Sequence, residues 1–266
     1  MKLYPNCKIN LGLRIVRKRE DGYHDLETVF YPVYGLHDEL EISITDSPFS
    51  FEQDGLSMDC SPDDNLIVRC YRLMKDKYPQ IGDVHIRLRK QIPFGAGLGG
   101  GSSDAAHTAI ALNKLFGLGL SREQMAQEVR VLGADCPFFV YNTPCFATGI
   151  GDVLTPIPLS LDGRRLVMVK PSVSVSTREA YAGIQPNAAP FDRNVNDFEK
   201  TVFARHPEIG EIKQRLLDAG AEYAAMSGSG STVFGLFHGD TECGSNMRFR
   251  RFYEDFASMI IFNDTL

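Results

Sequence analysis

Pro93-Phe94-Gly95-Ala96-Gly97-Leu98-Gly99-Gly100-Gly101-Ser102-Ser103 is the stretch on which the reading of this chain turns. Four of the five residues from Gly97 to Gly101 are glycine. A backbone without Cβ atoms can aim several N–H groups at one ligand, and a helix N-terminus adds partial positive charge. Upstream, Val84, Ile86 and Leu88 alternate with His85, Arg87 and Arg89, which predicts a half-buried strand with the apolar set inward. Downstream, Ala105, Ala109, Leu112 and Phe116 fit helical spacing over 104–116. Strand, glycine loop and helix together predict an anion site, most often one for phosphates. The bland reading is a flexible surface loop, against which stand Pro93 and the Ser102-Ser103-Asp104 cap.

Two familiar phosphate loops do not fit. Gly95, Gly97 and Gly100 satisfy G-x-G-x-x-G, but the acidic residue expected about 20 positions on falls at Glu123, inside a predicted helix. In the Walker pattern, Gly101 stands where the lysine belongs. The catalytic-loop and metal-binding motifs of protein kinases are absent.

Outward from the loop, Ile9, Leu11, Leu13 and Ile15 alternate with Lys8, Asn10, Gly12 and Arg14, a strand with Lys8 and Asn10 on the face opposite the core. A turn at Arg19–Gly22 leads to extended runs at 26–33 and 39–44, an antiparallel start. Asp63 or Asp64 caps a helix over 65–77, and Ser121 with Gln124 forms a capping box for a helix ending at Gly133. Beyond Phe146 the spacing predicts strands at 165–169, 222–226, 232–237 and 258–261, with helices at 196–204, 208–219 and 244–255. This mixture points to an α+β fold whose second half is a ferredoxin-like sandwich. No linker marks the boundary, which we place between 155 and 156.

With 43% apolar and 23% charged residues in 266, the chain has a globular composition and enough length for one or two cores. Its net charge of −6 and lack of a basic stripe exclude the electrostatic footprint of a nucleic-acid binder. The six cysteines, Cys7, Cys60, Cys70, Cys136, Cys145 and Cys243, form no C-x-x-C pair and do not cluster with histidines, which argues against zinc. No window reaches the roughly 18 apolar residues of a membrane helix, and the N-terminus has no apolar signal core, so a cytoplasmic protein is expected.

The segment Gly97–Ala106 resembles the phosphate-binding motif of the GHMP kinases, with an extended glycine run. Three further stretches agree with the same family: Pro5–Leu11 followed by Asp21-Gly22-Tyr23-His24, then Leu132–Phe139, then Ser227–Ser231. The resemblance runs in order over residues 3–237. The set is specific where no single member is. One departure is Asn6-Cys7, where the branch concerned has Pro-Ala or Ser-Ala; it leaves Lys8 and Asn10 intact.

The resemblance implies a two-domain fold: a ribosomal-protein-S5-like, ATP-binding domain over 1–155 and a ferredoxin-like domain over 156–266. It implies ATP-dependent phosphorylation of an alcohol, with Mg²⁺, on a small cytidine diphosphate-linked methylerythritol. Nucleic acid and membrane would play no part, and the protein would be a monomer or weak homodimer. Asp135 becomes the base for the acceptor hydroxyl, although by itself it reads as a helix N-cap before Pro137. Lys8 becomes its counter-charge, although alone it reads as a solvated strand lysine. Asn10 would contact substrate, while Pro93, Phe94, Gly95, Ala96, Gly97, Leu98, Gly99, Gly100, Gly101, Ser102 and Ser103 hold the nucleotide phosphates. Asn65 meets the adenine or simply caps its helix. Tyr23, His24 and Tyr181 read the cytosine, with Thr177 in the same segment; without the family, Tyr23 is a turn aromatic and Tyr181 a core residue. Ser227, Gly228, Ser229 and Gly230 would close over substrate phosphates. The metal ligands are unknown; Ser103 fits only the broader superfamily pattern.

Overall fold

The computed structural model describes residues 1–57, 61–186, 188–239 and 247–266. Cys60 and Cys243, and the start of the helix expected from 244, lie outside them. In chain order the strands are β1 (Lys2–Leu3), β2 (Asn6–Lys18), β3 (His24–His37), β4 (Glu39–Ile44), β5 (Ser50–Gly55), β6 (Val84–Lys90), β7 (Cys145–Thr148), β8 (Val153–Pro156), β9 (Arg164–Val169), β10 (Tyr223–Met226), β11 (Val233–His238) and β12 (Ile260–Thr265). The α-helices are α1 (Leu66–Lys77), α2 (Gly100–Leu115), α3 (Arg122–Val129), α4 (Cys136–Tyr141), α5 (Thr177–Tyr181), α6 (Asp197–Arg205), α7 (Pro207–Asp218) and α8 (Met247–Phe256). None is long and apolar enough to cross a membrane.

Contacts gather the chain into two units, neither of them one continuous stretch. The first takes Met1–Lys8, Leu36–Phe94 and Gly99–Thr143; the second takes Ile9–Gly35, Gly95–Leu98 and Pro144–Leu266.

In the first unit a sheet in the order β1-β4-β6-β5 carries α2, and α1 packs against α2. β4 runs antiparallel to β6, whereas β5 pairs with β6 in parallel, a pairing that needs the crossover α1 supplies. Val84, Ile86 and Leu88 are buried as their alternation predicts. The same alternation brings Lys90, one step further along, into the core. α2 begins at Gly100, four residues before the helix expected from 104, because packing of its small residues overrides glycine's poor helix propensity. α3 keeps the expected capping box but ends at Val129 rather than Gly133.

The second unit contains two sheets. One has the order β2-β3-β7-β8, so the 39–44 run does not continue the antiparallel start but belongs to the other unit. The second sheet has the order β10-β11-β9-β12, antiparallel throughout. Counting from β9, the chain runs strand, helices, strand, strand, helix, strand in the spatial order 4-1-3-2, which is the ferredoxin-like arrangement. Its core joins Val167, Val169, Phe198, Ile209, Leu216, Phe237 and Phe249.

β2 corrects one expectation. Lys8 and Asn10 do share a face, but they are only 3% and 2% exposed, as buried as Cys7 and Ile9 on the other face. Period-2 alternation identifies a face; it does not say that the polar face meets water.

Candidate active site

In the first unit, Lys8 Nζ lies 3.5 Å from Asp135 Oδ2. Asp135 occupies the N-cap position of α4, yet its side chain makes no capping hydrogen bond and its backbone is already helical. The carboxylate is 31% exposed. The capping reading therefore fails on geometry, and so does that of a solvated Lys8.

The glycine run passes beside this pair. Gly99, with φ +71°, is the N-cap of α2, and a Cβ there would sit 3.2 Å from Lys8 Cε and 2.9 Å from the Phe139 ring. Ser102 Oγ lies near Gly133, in the turn that delivers Asp135: a Cβ on Gly133 would be 3.5 Å from it. The first turn of α2 presents helix N–H groups with no partner inside the helix, together with the positive end of a 16-residue dipole. Lys8, Asp135, Gly99 and the start of α2 thus form one N–H-rich corner in which a partly exposed carboxylate is paired with a buried lysine.

Behind the loop lies a network that sequence reading missed. Lys90 Nζ donates to Asp38 Oδ2 at 2.5 Å and to Asp104 Oδ2 at 2.7 Å, all three side chains being buried. Asp38 Oδ1 accepts from the N–H groups of Gln91 and Ile92 at 2.6 and 2.8 Å. The loop 93–103 is therefore pinned at its entry through Asp38 and at its exit through Asp104. The alternation 84, 86, 88 extended to 90 could have found Lys90; the positions of Asp38 and Asp104 carried no local signal.

Asn65 caps α1, its Oδ1 accepting from Ile67 N at 2.9 Å. Its Nδ2 makes no hydrogen bond among the described residues. Capping and a base contact are thus compatible on one side chain. Ser103 is buried, with Oγ 3.4 Å from His107 Nδ1.

In the second unit, Gly97 (φ +76°) and the turn 227–230 are in close contact. A Cβ on Gly97 would fall 2.0 Å from Ser227 O. Ser227 Oγ donates to Gly97 O at 3.0 Å and accepts from Asn10 N at 3.2 Å, and Thr232 N donates to Ala96 O at 3.2 Å. Asn10 Nδ2 donates to Thr28 Oγ1, which in turn donates to Gly12 O, so Asn10 is held within the protein. His24 stacks on Tyr181 with ring centroids 4.8 Å apart, and Tyr181 meets Phe198 edge-on. The ring of Tyr23 stands in the preceding turn, the residue being 61% exposed. Thr177 opens the short helix α5 that ends at Tyr181. Burial, and then Lys18, lower the His24 pKa, so the ring is neutral at pH 7 and offers one donor and one acceptor.

A family model described as "GHMP kinases N terminal domain" matches residues 65–143, and one described as "GHMP kinases C terminal" matches 184–242. The chain is 48% identical over 269 residues to the 4-diphosphocytidyl-2-C-methyl-D-erythritol kinase of Bacteroides thetaiotaomicron, covering 93% of this chain and 97% of that one. The chain belongs to the GHMP kinases, in the 4-diphosphocytidyl-2-C-methyl-D-erythritol kinase family. It is also 49% identical to the corresponding kinase of Bacteroides fragilis, over 89% of this chain and 92% of that one. A crystal structure of a 4-(cytidine 5'-diphospho)-2C-methyl-D-erythritol kinase, 32% identical, matches with a TM-score of 0.78 over 98% of this chain and 96% of that one. The protein is therefore an ATP-dependent kinase.

Of the residues singled out in the sequence, Ser103 alone was a candidate metal ligand. Ser103 Oγ is buried against His107, and no group of three or more His, Cys, Asp or Glu side chains gathers among the described residues.

Two predictions arise here. Gly97→Ala must both adopt a left-handed backbone and displace the Ser227 carbonyl, whereas Gly95→Ala (φ +63°) meets nothing within 4 Å. Left-handed strain alone costs about 1–2 kcal/mol; adding a backbone collision, we expect kcat/KM for ATP to fall about 10- to 100-fold in Gly97→Ala and under about 10-fold in Gly95→Ala. Steady-state kinetics on both variants checks this.

The second concerns Asp104, whose carboxyl is pushed by burial up to about 7 from 3.8, against the pull of Lys90. Because the folded value is raised, this group favours folding in its protonated form, and that contribution is lost as pH rises from about 4 through about 7. Asp104→Asn removes the titration. The melting temperature of the wild type should fall over that window, and that of the variant should be flatter and no lower at about pH 8.

Proposed function

We infer that this kinase transfers the γ-phosphoryl group of ATP to the 2-hydroxyl of 4-diphosphocytidyl-2-C-methyl-D-erythritol, giving the 2-phosphate and ADP. This is a step of the non-mevalonate (methylerythritol phosphate) route to isoprenoid precursors. The observation that carries the chemical reading is the Lys8–Asp135 pair beside Gly99, with a partly exposed carboxylate not engaged in capping.

In this reading Asp135 receives the hydroxyl proton and orients the attacking oxygen. Phosphoryl transfer has a loose transition state, so alignment and charge stabilisation matter more than early deprotonation. Lys8 offsets the carboxylate charge and limits repulsion of the incoming phosphates. The N–H groups at the start of α2 and along Pro93–Ser103 stabilise charge on the transferring group. Nδ2 of Asn65 is the donor toward adenine. Tyr23, His24, Thr177 and Tyr181 receive the cytidine, with the exposed Tyr23 ring as its platform and neutral His24 reading the base edge. The turn Ser227–Gly230 covers the diphosphate, and Asn10 acts through Ser227. Mg²⁺ is part of the proposal as the companion of the ATP phosphates; its protein ligands are unassigned and no step is routed through it. The division of the chain at 155/156, a cytoplasmic setting and a monomer or weak homodimer belong to the same proposal.

The test is ADP release with 4-diphosphocytidyl-2-C-methyl-D-erythritol, mevalonate, homoserine and galactose side by side. Turnover confined to the cytidyl substrate is expected. Turnover on another alcohol alone would sink the substrate reading and the cytidine site with it.

A further inference from the structure

α6 opens with Asn196-Asp197-Phe198-Glu199, and the three polar side chains of this turn all reach outside the helix. Asn196 is buried; its Nδ2 donates to Met226 O at 2.8 Å and Gly228 O at 2.9 Å, while Oδ1 caps the helix by accepting from Phe198 N at 3.0 Å. Glu199 Oε1 accepts from Met226 N at 2.9 Å, and its other oxygen is paired with Lys213. Asp197 Oδ2 accepts from Ile15 N at 2.7 Å, and Leu13 N donates to Val195 O at 2.8 Å, tying the same turn to β2. One helix N-terminus thus grips both the strand that carries Asn10 and the end of β10 that leads into Ser227–Gly230.

We propose that Asn196 is a positioning residue that sets the direction of the Ser229 N–H toward the diphosphate of the substrate. The argument is one of peptide geometry. In a planar trans peptide the C=O and the following N–H point in opposite directions. Asn196 draws the Gly228 carbonyl to the buried cap, so the Ser229 N–H is turned away from it. Gly228, at φ +55°, permits that orientation. Ser229 is half-buried, and no described residue accepts a hydrogen bond from its N–H. A half-buried donor held in a fixed direction is what binding of a phosphate oxygen requires, and its aim is lost if the carbonyl behind it is released. Serine, threonine or aspartate would cap α6 equally well; only the amide of asparagine both caps and donates twice.

The proposal rests on the reading of Ser227–Gly230 as the phosphate-covering turn, and its test separates the two. CDP and cytidine are used as competitive inhibitors of the full-length kinase against its cytidyl substrate. In the wild type CDP should inhibit more tightly than cytidine; no advantage for CDP would overturn the turn reading and the proposal together. Asn196→Ser keeps a neutral cap and removes both donor bonds. Its inhibition constant for CDP should rise by about tenfold or more, with that for cytidine within about twofold. Asn196→Asp, which keeps size and cap but sets an oxygen against two carbonyls, serves as the second variant and should show the same selective loss. A purely structural role would alter both constants together, or lower only thermal stability. Either of those results, given a CDP advantage in the wild type, would overturn the positioning role and leave the turn reading standing.

Discussion

Asp135→Asn is expected to lower kcat by about 10²–10⁴-fold, the usual contribution of a positioned base, with KM for ATP within a few-fold. The amide keeps the size of the side chain and one oxygen for Lys8, but it cannot accept the proton that leaves the acceptor hydroxyl. That loss corresponds to about 3–5 kcal/mol of transition-state stabilisation. The fold should be little affected, because the carboxylate makes no capping bond and is 31% exposed. A residue acting only as an N-cap would give the reverse, since loss of a cap costs about 1 kcal/mol of stability and leaves chemistry intact. Single-turnover kinetics together with thermal melting distinguishes the two. Lys8→Met should produce a loss of similar order, and the double variant should add little to either, since the two residues act as a unit.

Lys90→Met should be the most damaging single change to stability away from the chemistry, on the order of 3–5 kcal/mol. Removing the ammonium leaves Asp38 and Asp104 buried side by side with no counter-charge, and burying an uncompensated charge is far costlier than losing a surface ion pair. Burial works to lower the Lys90 pKa, but the two carboxylates outweigh it and the pKa is raised, so the cation is firmly held in the wild type. The deficit should therefore shrink in acid, where Asp104, its carboxyl pushed up to about 7 by burial, takes up a proton. Urea unfolding at about pH 5 and about pH 8 checks this; an equal deficit at both pH values would show that lost packing, not charge, is responsible. Because the triad pins both ends of the glycine loop, surviving folded protein should also bind ATP more weakly.

Much of this was legible along the chain because the governing forces are local. The glycine run, the apolar alternation of β6 and the Ser121–Gln124 capping box each act over a few residues, and each predicted its element. Boundaries were less secure. α2 takes in Gly100–Ser103, and at Gly100 a Cβ would press on Ile92 and Lys90, which no short window brings together.

The site divides along the same line. The motifs named Lys8 and Asp135, but nothing in the spacing of residues 8 and 135 says that the carboxylate escapes its cap or that the lysine is buried. Nor could spacing say that Asn10 bonds Thr28 or that Asn196 grips Gly228, since these pairs are set by sheet order and by a helix end meeting a turn. By itself the sequence determined the kinds of element, the glycine-rich loop between strand and helix, and the family, through local propensity and ordered motifs. Only the tertiary structure decided which polar groups lost their water and which partners replaced it, because desolvation and hydrogen-bond geometry depend on every neighbour in space rather than on the neighbours in the chain.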